Sequence, residues 1–256
     1  MIRRRRNEGR GQRIKSKVPD SAHPVMIIGG AGFIGSNLAN RLLMEGEPVL
    51  IFDNLSRSGS RQNILWLTER FGDQVQVELG DILDAGKLAG PVGRAKVIYH
   101  FAAQVAVTTS IKDPLCDFES NLHGTLLLLE VMRCVKKAPP LVFTSTNKVY
   151  GPLDDIRLRR NGSRYEPVDI SVCTAGIRED RPLKFHSPYG CSKGAADQYV
   201  LDYSRIYGLK TVVFRMSCIY GPRQFGTEDQ GWVAHFLIQA LRGQPITLYG
   251  DGMQVR

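Results

Sequence analysis

A glycine-rich turn near the start of the chain constrains its architecture more than any other feature. The apolar run Val25–Ile28 leads into Gly29-Gly30-Ala31-Gly32-Phe33-Ile34-Gly35, and helical apolar spacing follows over 32–44. Glycines three apart let the backbone turn tightly, approach a pyrophosphate and pack helix on strand, while the helix start offers N–H donors and partial positive charge. A second apolar run ends in Asp53, eighteen residues after Gly35. A carboxylate there can hold the adenosine ribose hydroxyls of a dinucleotide. It would also repel the extra phosphate of NADP, and the next residue is the neutral Asn54, so the cofactor expected is NAD.

The rest of the chain repeats this alternation. Mostly apolar runs at 48–53, 74–79, 96–101, 141–145 and 211–216 read as strands buried on both faces of a parallel sheet. Helix-compatible stretches at 61–71, 84–88, 115–136 and 188–207 separate them. The fold class expected is therefore α/β, a Rossmann-type doubly wound parallel sheet with helices on both faces. A long polar connection over 151–187 is the exception, of a length more typical of an active-site covering or an insertion. A helix over 232–241 and a short strand over 246–248 read as the start of a second, incomplete substrate domain. The organisation expected is a disordered basic tail over 1–23, a dinucleotide-binding domain carrying the catalytic residues over 24–220, and the start of a truncated substrate-binding domain over 221–256.

Charge points away from a nucleic-acid-binding body. The net charge is +9, yet residues 1–23 hold eight Lys/Arg against Glu8 and Asp20, leaving a near-neutral remainder. No apolar run follows the basic stretch as a secretory signal requires, and none reaches the length of a membrane span. Five scattered cysteines without a CxxC pair suggest no disulfide framework or metal site. A soluble enzyme of the reducing cytoplasm is the expectation.

Candidate chemistry centres on Tyr189-Gly190-Cys191-Ser192-Lys193, where Tyr189 and Lys193 lie one helical turn apart on one face. A phenol with its ordinary pKa near 10 is a poor base at neutral pH, and a neighbouring ammonium would stabilise its phenolate. Thr146, at the carboxyl end of its strand, could bond the substrate oxygen whose proton Tyr189 would remove or return, with Ser145 as the alternative donor or a strand-end residue satisfying local backbone. Asp81 and Ile82 follow the third strand; they could face an adenine, or Asp81 could cap the next helix. Arg57 is either a cofactor contact or an exposed loop charge. His100 ends a buried strand and reads as structural, while Ala102, Ala103 and Gln104 are placed along the cofactor. Ser187 is either a substrate contact or a helix cap, and His186 beside it could also touch substrate. Arg223 and Gln224 either meet substrate phosphates or lie in a solvated loop. The charge cluster over 157–164 reads as a solvated face, and Cys191 as a packing residue.

Taken together, the glycine motif, Asp53, His100-Phe101-Ala102-Ala103, Ser145-Thr146 before Val149-Tyr150-Gly151, Tyr189 with Lys193, and Arg215 before Tyr220-Gly221-Pro222 resemble the extended short-chain dehydrogenase/reductase family from Pro24 onward. Within it, the strings 104–110, 145–150, 185–189 and 224–232 look most like the CDP-tyvelose (CDP-paratose) 2-epimerase branch. The resemblance implies an NAD-dependent nucleotide-sugar epimerase with bound, self-regenerating NAD, a CDP-hexose substrate and a homo-oligomeric state. Sugar 4,6-dehydratases of the family follow the threonine with Asp-Glu, the carboxyl groups needed to eliminate water. Here those places hold Asn147 and Lys148, which disfavours dehydration and leaves reversible oxidation, with Tyr189 exchanging the hydroxyl proton. The site residues implied are Thr146, Tyr189 and Lys193 for catalysis. Gly29, Gly32, Phe33, Ile34, Gly35, Asp53, Asn54, Arg57, Asp81, Ile82, Ala102, Ala103, Gln104 and Lys193 would hold the cofactor, and Thr146, Asn147, Ser187, Arg223 and Gln224 the substrate. A UDP-glucose 4-epimerase-like enzyme is the alternative within the family. A non-catalytic dinucleotide- or RNA-binding protein is the alternative outside it.

Overall fold

The computed structural model describes residues 23–254; the basic tail, apart from His23, lies outside them. Six parallel strands form the central sheet: β1 (Val25–Ile28), β2 (Val49–Asp53), β3 (Val75–Leu79), β4 (Val97–His100), β5 (Leu141–Thr146) and β8 (Thr211–Met216). Their order is β3-β2-β1-β4-β5-β8. The order reverses between β1 and β4, and the crevice beyond the carboxyl ends of these two strands is where a doubly wound sheet receives ligands.

Apolar strand composition has a direct cause in this layering, since β1 and β2 are buried along their whole length. On one face, α1 (Phe33–Met44) and α2 (Ser60–Phe71) cover β1, β2 and β3 through Ala39, Leu43 and Leu67. On the other, α3 (Ala85–Arg94), α6 (Gly124–Cys134) and α8 (Pro188–Tyr207) bury Leu88, Val92, Leu128, Leu129, Met132, Ala196 and Val200 against Phe52, Ile98 and Phe143. The first face is left open beyond α1. Tyr99, Phe101, Val142, Phe214 and Met216 there line a trough of about 460 Å³, and Phe214 is 53% exposed.

Several local expectations are corrected. The helical stretch expected over 115–136 is present from Pro114 to Cys134, but with a π turn (Glu119–His123) between α5 (Pro114–Phe118) and α6. Gly124 lies so close to Ile82 that a Cβ would meet Ile82 Cγ2 at 2.6 Å. The helix expected to stop at 88 runs to Arg94 through Pro91, which costs one backbone hydrogen bond but buries its ring beside Leu88 and Val92. Residues 107–112 add the short helix α4 (Val107–Lys112).

The polar connection over 151–187 is not structureless. It contains the antiparallel hairpin β6 (Leu158–Asn161) and β7 (Arg164–Pro167), then α7 (Ile170–Ala175), capped by Asp169. The Arg157–Arg164 charges lie along this exposed hairpin. Tyr165 joins it to the last residues, donating from its amide to Met253 O and from its hydroxyl to Asp251 Oδ2. A helix forms at α9 (Trp232–Leu241) as expected, but 246–248 forms no strand.

Candidate active site

The glycine turn has no room for side chains. Gly29 has φ +77°, and a Cβ there would lie 2.5 Å from Ala102 N; at Gly35 it would lie 2.4 Å from Gly29 O. Both neighbours are backbone and cannot yield, so α1 starts tight against β1 with Gly32 at its N-cap and Phe33 and Ile34 opening its first turn. The free N–H groups of that turn face the sheet's carboxyl edge, the donor set a pyrophosphate requires.

Asp53 closes this cradle from β2. Its Oδ2 accepts from Ala31 N at 3.0 Å and its Oδ1 from Leu55 N at 2.8 Å. Burial raises its pKa while the two backbone bonds oppose the rise. Asn54 Nδ2 donates to Asp81 Oδ2 at 2.7 Å, joining the loops after β2 and β3. Asp81 also accepts from Leu83 N, and the cap of α3 is Asp84 instead. Ile82 is a core residue packed on Gly124. Ala102 presses on Gly29, Ala103 follows it, and the Gln104 side chain folds back onto the backbone of Ala106.

Tyr189 and Lys193 stand on α8, which starts at Pro188 and is capped by Ser187 Oγ accepting from Gly190 N at 3.2 Å. Ser187 thus fills the capping alternative, with a strained φ of +93°. Thr146 ends β5, and its hydroxyl accepts from Lys148 N at 3.2 Å. Burial raises the Tyr189 phenol's pKa, the nearby Thr146 hydroxyl lowers it, and the charge of Asp117 raises it. Lys193 is buried, donates Nζ to Thr144 O at 2.6 Å and lies 4.3 Å from the centre of the Phe143 ring. Burial brings it down to about 8, against the fields of Asp197 and Asp117. The ammonium is therefore directed at the β5 backbone.

Other candidates are spread around the cleft. Asn147 is exposed and reaches Ser217 Oγ at 3.4 Å. Arg223, at φ +65°, lies 4.1 Å over the Trp66 ring of α2, and Gln224 donates to Ile219 O. Arg57 donates to Gln230 Oε1 at 2.9 Å. His100 is structural, buried with Nε2 3.1 Å from Thr125 Oγ1, and burial holds it down to about 3. Cys191 is exposed, so it does not pack as expected.

Beside the alternative donor Ser145, sequence reasoning passed over two groups near this cluster, the Asp117–Asn121 network and the Asp197–Arg215 ion pair. Ser145 Oγ is buried without a protein partner among the described residues. Asp117 and Asn121 form a buried network with Ser192. Asp197 forms a buried ion pair with Arg215. Asp117, Asn121 and Thr125 recur every four residues in a helical stretch, a polar stripe within an otherwise apolar pattern that signals buried hydrogen bonding.

A doubly wound sheet with a glycine cradle, an acidic residue ending β2 and a buried Thr-Tyr-Lys cluster at the carboxyl edge defines a dinucleotide-dependent enzyme acting on hydroxyl or carbonyl groups. The chain belongs to the NAD dependent epimerase/dehydratase family, which it matches over residues 25–256. It is 46% identical over 239 residues to CDP-paratose 2-epimerase of Salmonella typhi, covering 91% of this chain and 69% of that protein. It is 30% identical to a putative UDP-glucose 4-epimerase of Methanocaldococcus jannaschii, with 91% and 68% covered. Among solved structures, UDP-glucose 4-epimerase of Thermus thermophilus in complex with NAD superposes with a TM-score of 0.70 at 35% identity, covering 88% of this chain and 65% of that one. The chain thus spans about two thirds of the length of these relatives. Among the described residues no helix is long and apolar enough to cross a membrane, and no His/Cys/Asp/Glu group has a metal-binding arrangement.

Proposed function

We propose that the chain is the NAD-binding and catalytic part of a nucleotide-sugar epimerase working through a transient keto-sugar, with CDP-paratose as substrate and CDP-tyvelose, inverted at C2, as product. The observation that carries the reaction type is the gathering of Thr146, Tyr189 and the buried Lys193 at the carboxyl end of β5, where Lys193 Nζ donates to Thr144 O. The substrate assignment is supported by the 46% identity to the Salmonella typhi enzyme. A non-catalytic module would have no use for a buried ammonium next to a phenol, which is costly to maintain.

NAD fits the cradle: Gly29, Gly32, Gly35 and the start of α1 would hold the pyrophosphate. Asp53 would take the adenosine ribose, Asn54, Asp81, Ile82 and Arg57 would border the adenine side, and Ala102 to Gln104 would line the nicotinamide side. When bound, the cofactor supplies a reversible hydride acceptor. The chain's own residues do the rest. Thr146 orients the sugar hydroxyl, and Tyr189, ionised by the positive charge of Lys193 and of the bound cofactor beside it, takes its proton as the carbonyl forms and returns it when the carbon is reduced from the other face. Ser145, with no protein partner for its hydroxyl, is a second donor to the same oxygen. Asn147, Ser187, Arg223 and Gln224 border the substrate side of the cleft. In this reading residues 24–220 form the NAD-binding domain and 221–256 begin the substrate domain, in a cytoplasmic homo-oligomer.

Incubating the protein with CDP-paratose, UDP-glucose and UDP-galactose and following product stereochemistry by NMR tests the proposal. Inversion at C2 of the CDP-sugar is expected. Inversion only at C4 of a UDP-hexose would replace the substrate assignment while keeping the reaction type.

A further inference from the structure

Lys193 carries the most heavily desolvated positive charge in this cleft. Its residue is 4% exposed, and its ammonium has one carbonyl, Thr144 O, and one aromatic face, Phe143, as immediate partners. An ammonium so placed discharges unless an anion stands near it. Three ionisable groups interact with it electrostatically: Asp197 one turn further along α8, Asp117 on α5 and His100 on β4.

Two of the three are spoken for. Arg215 of β8 binds Asp197 through Nε to Oδ2 at 2.9 Å and Nη2 to Oδ1 at 3.1 Å, so that anion already has its cation. His100 is held neutral by burial. Asp117 differs. It is fully buried, and the bonds it accepts come from neutral groups, Ser192 Oγ on Oδ2 and Asn121 Nδ2 on Oδ1 at 3.0 Å. Asn121 also reaches Ser192 Oγ at 3.2 Å, which closes a triangle between α5, the π turn and α8. Ser192 is the residue before Lys193, so this triangle sets α8 in place and fixes an otherwise uncompensated carboxylate on the residue adjoining Lys193, close enough for its charge to act on the ammonium. Asp117 and Asn121 lie one turn apart, so both face α8.

We infer that Asp117 is a positioning residue of this site: clamped by Ser192 and Asn121, its carboxylate is the fixed counter-charge that keeps the Lys193 ammonium charged and in place. The inference rests on the reading of Tyr189 and Lys193 as the reacting pair. It has a signature that simple packing lacks. Asp117 raises the proton affinity of Lys193 and also that of Tyr189. Removing its charge therefore moves both limbs of a pH–rate profile toward acid, whereas a packing defect lowers amplitude and leaves the limbs in place.

Competitive acetylation of the folded protein with acetic anhydride across pH, read by mass spectrometry at the peptide holding Lys193, follows this amine without requiring turnover. The wild-type curve is expected to turn over near the value of about 8. In Asp117→Asn the turnover point falls by about one pH unit or more, a tenfold weaker hold on the proton, and Asp117→Glu restores most of it. Ser192→Ala, which loosens the clamp and spares the charge, shifts the same way by less and serves if Asp117→Asn does not fold. Coincident curves in the wild type and in the folded variants would overturn the inference. Full turnover by Tyr189→Phe would instead overturn the reaction reading and leave a shifted Lys193 curve standing.

Discussion

Replacing Arg215 by Met tests the buried electrostatics of the fold directly. Asp197 is fully buried, and Arg215 is its charge partner through two nitrogens, with Nη1 also donating to the Tyr150 hydroxyl at 2.8 Å. The pair raises the proton affinity of the guanidinium. Removing one partner leaves a carboxylate uncompensated in the core, for which the expected loss is about 3–5 kcal/mol. Against a total of about 5–15 kcal/mol for an ordinary domain, that is a large share. For a chain of this size each kcal/mol lowers Tm by about 2–4 °C, so Arg215→Met should melt about 6–20 °C earlier. Removing both charges, as Asp197→Leu with Arg215→Met, should recover most of the loss, because the main term is the unpaired charge and not the absent attraction. Thermal and urea unfolding of both single variants and the double variant closes the cycle. A loss below about 1 kcal/mol for Arg215→Met, or a double variant as unstable as the sum of the singles, would refute the reasoning.

Gly35→Ala drives a methyl onto the Gly29 carbonyl and Gly30 Cα, so NAD affinity measured by calorimetry should fall at least about tenfold, with about 1–3 kcal/mol of stability lost. Gly93→Ala, in α3 with nothing within 4 Å, should instead be neutral or stabilise by about 0.5–1 kcal/mol. His100, held down to about 3 in the fold, binds its proton more readily unfolded, near its ordinary 6.5. Its contribution is thus present above pH 6.5 and lost as pH falls toward 3, so His100→Gln should gain on the wild type in urea unfolding between pH 7 and 4. Parallel stability curves would contradict this. Thr146→Val, which deletes the hydroxyl at the end of β5 near the Tyr189 phenol, should lower kcat by about 10² or more with a smaller change in KM, while Thr146→Ser keeps most of the activity.

The fold and the elements that carry the candidate site were legible for separable reasons. Strand positions follow from apolar runs that only a sheet covered on both faces requires, and β8 and α8 begin and end where the sequence places them. Breaks in regular structure were less legible. The π turn over Glu119–His123 and the passage of α3 through Pro91 depend on what the neighbouring helix and strand bury, which no local spacing records. The hairpin within 151–187 carries charged residues on both strands, so alternation could not reveal it. Its attachment comes from Tyr165 meeting Met253 and Asp251, far away in sequence.

By itself, the sequence determined the glycine cradle, the acidic end of β2 and the pairing of Tyr189 with Lys193. Each is a short-range pattern in which backbone geometry dictates which residue types can stand where. Tertiary structure alone decided where charge is compensated. It gave Asp197 to Arg215 across 18 residues and brought Asp117 to Ser192 across 75, and it turned the Lys193 ammonium toward Thr144. The reason is physical: the cost of burying a charge depends on what surrounds it in three dimensions, and residues distant in the chain supply those surroundings.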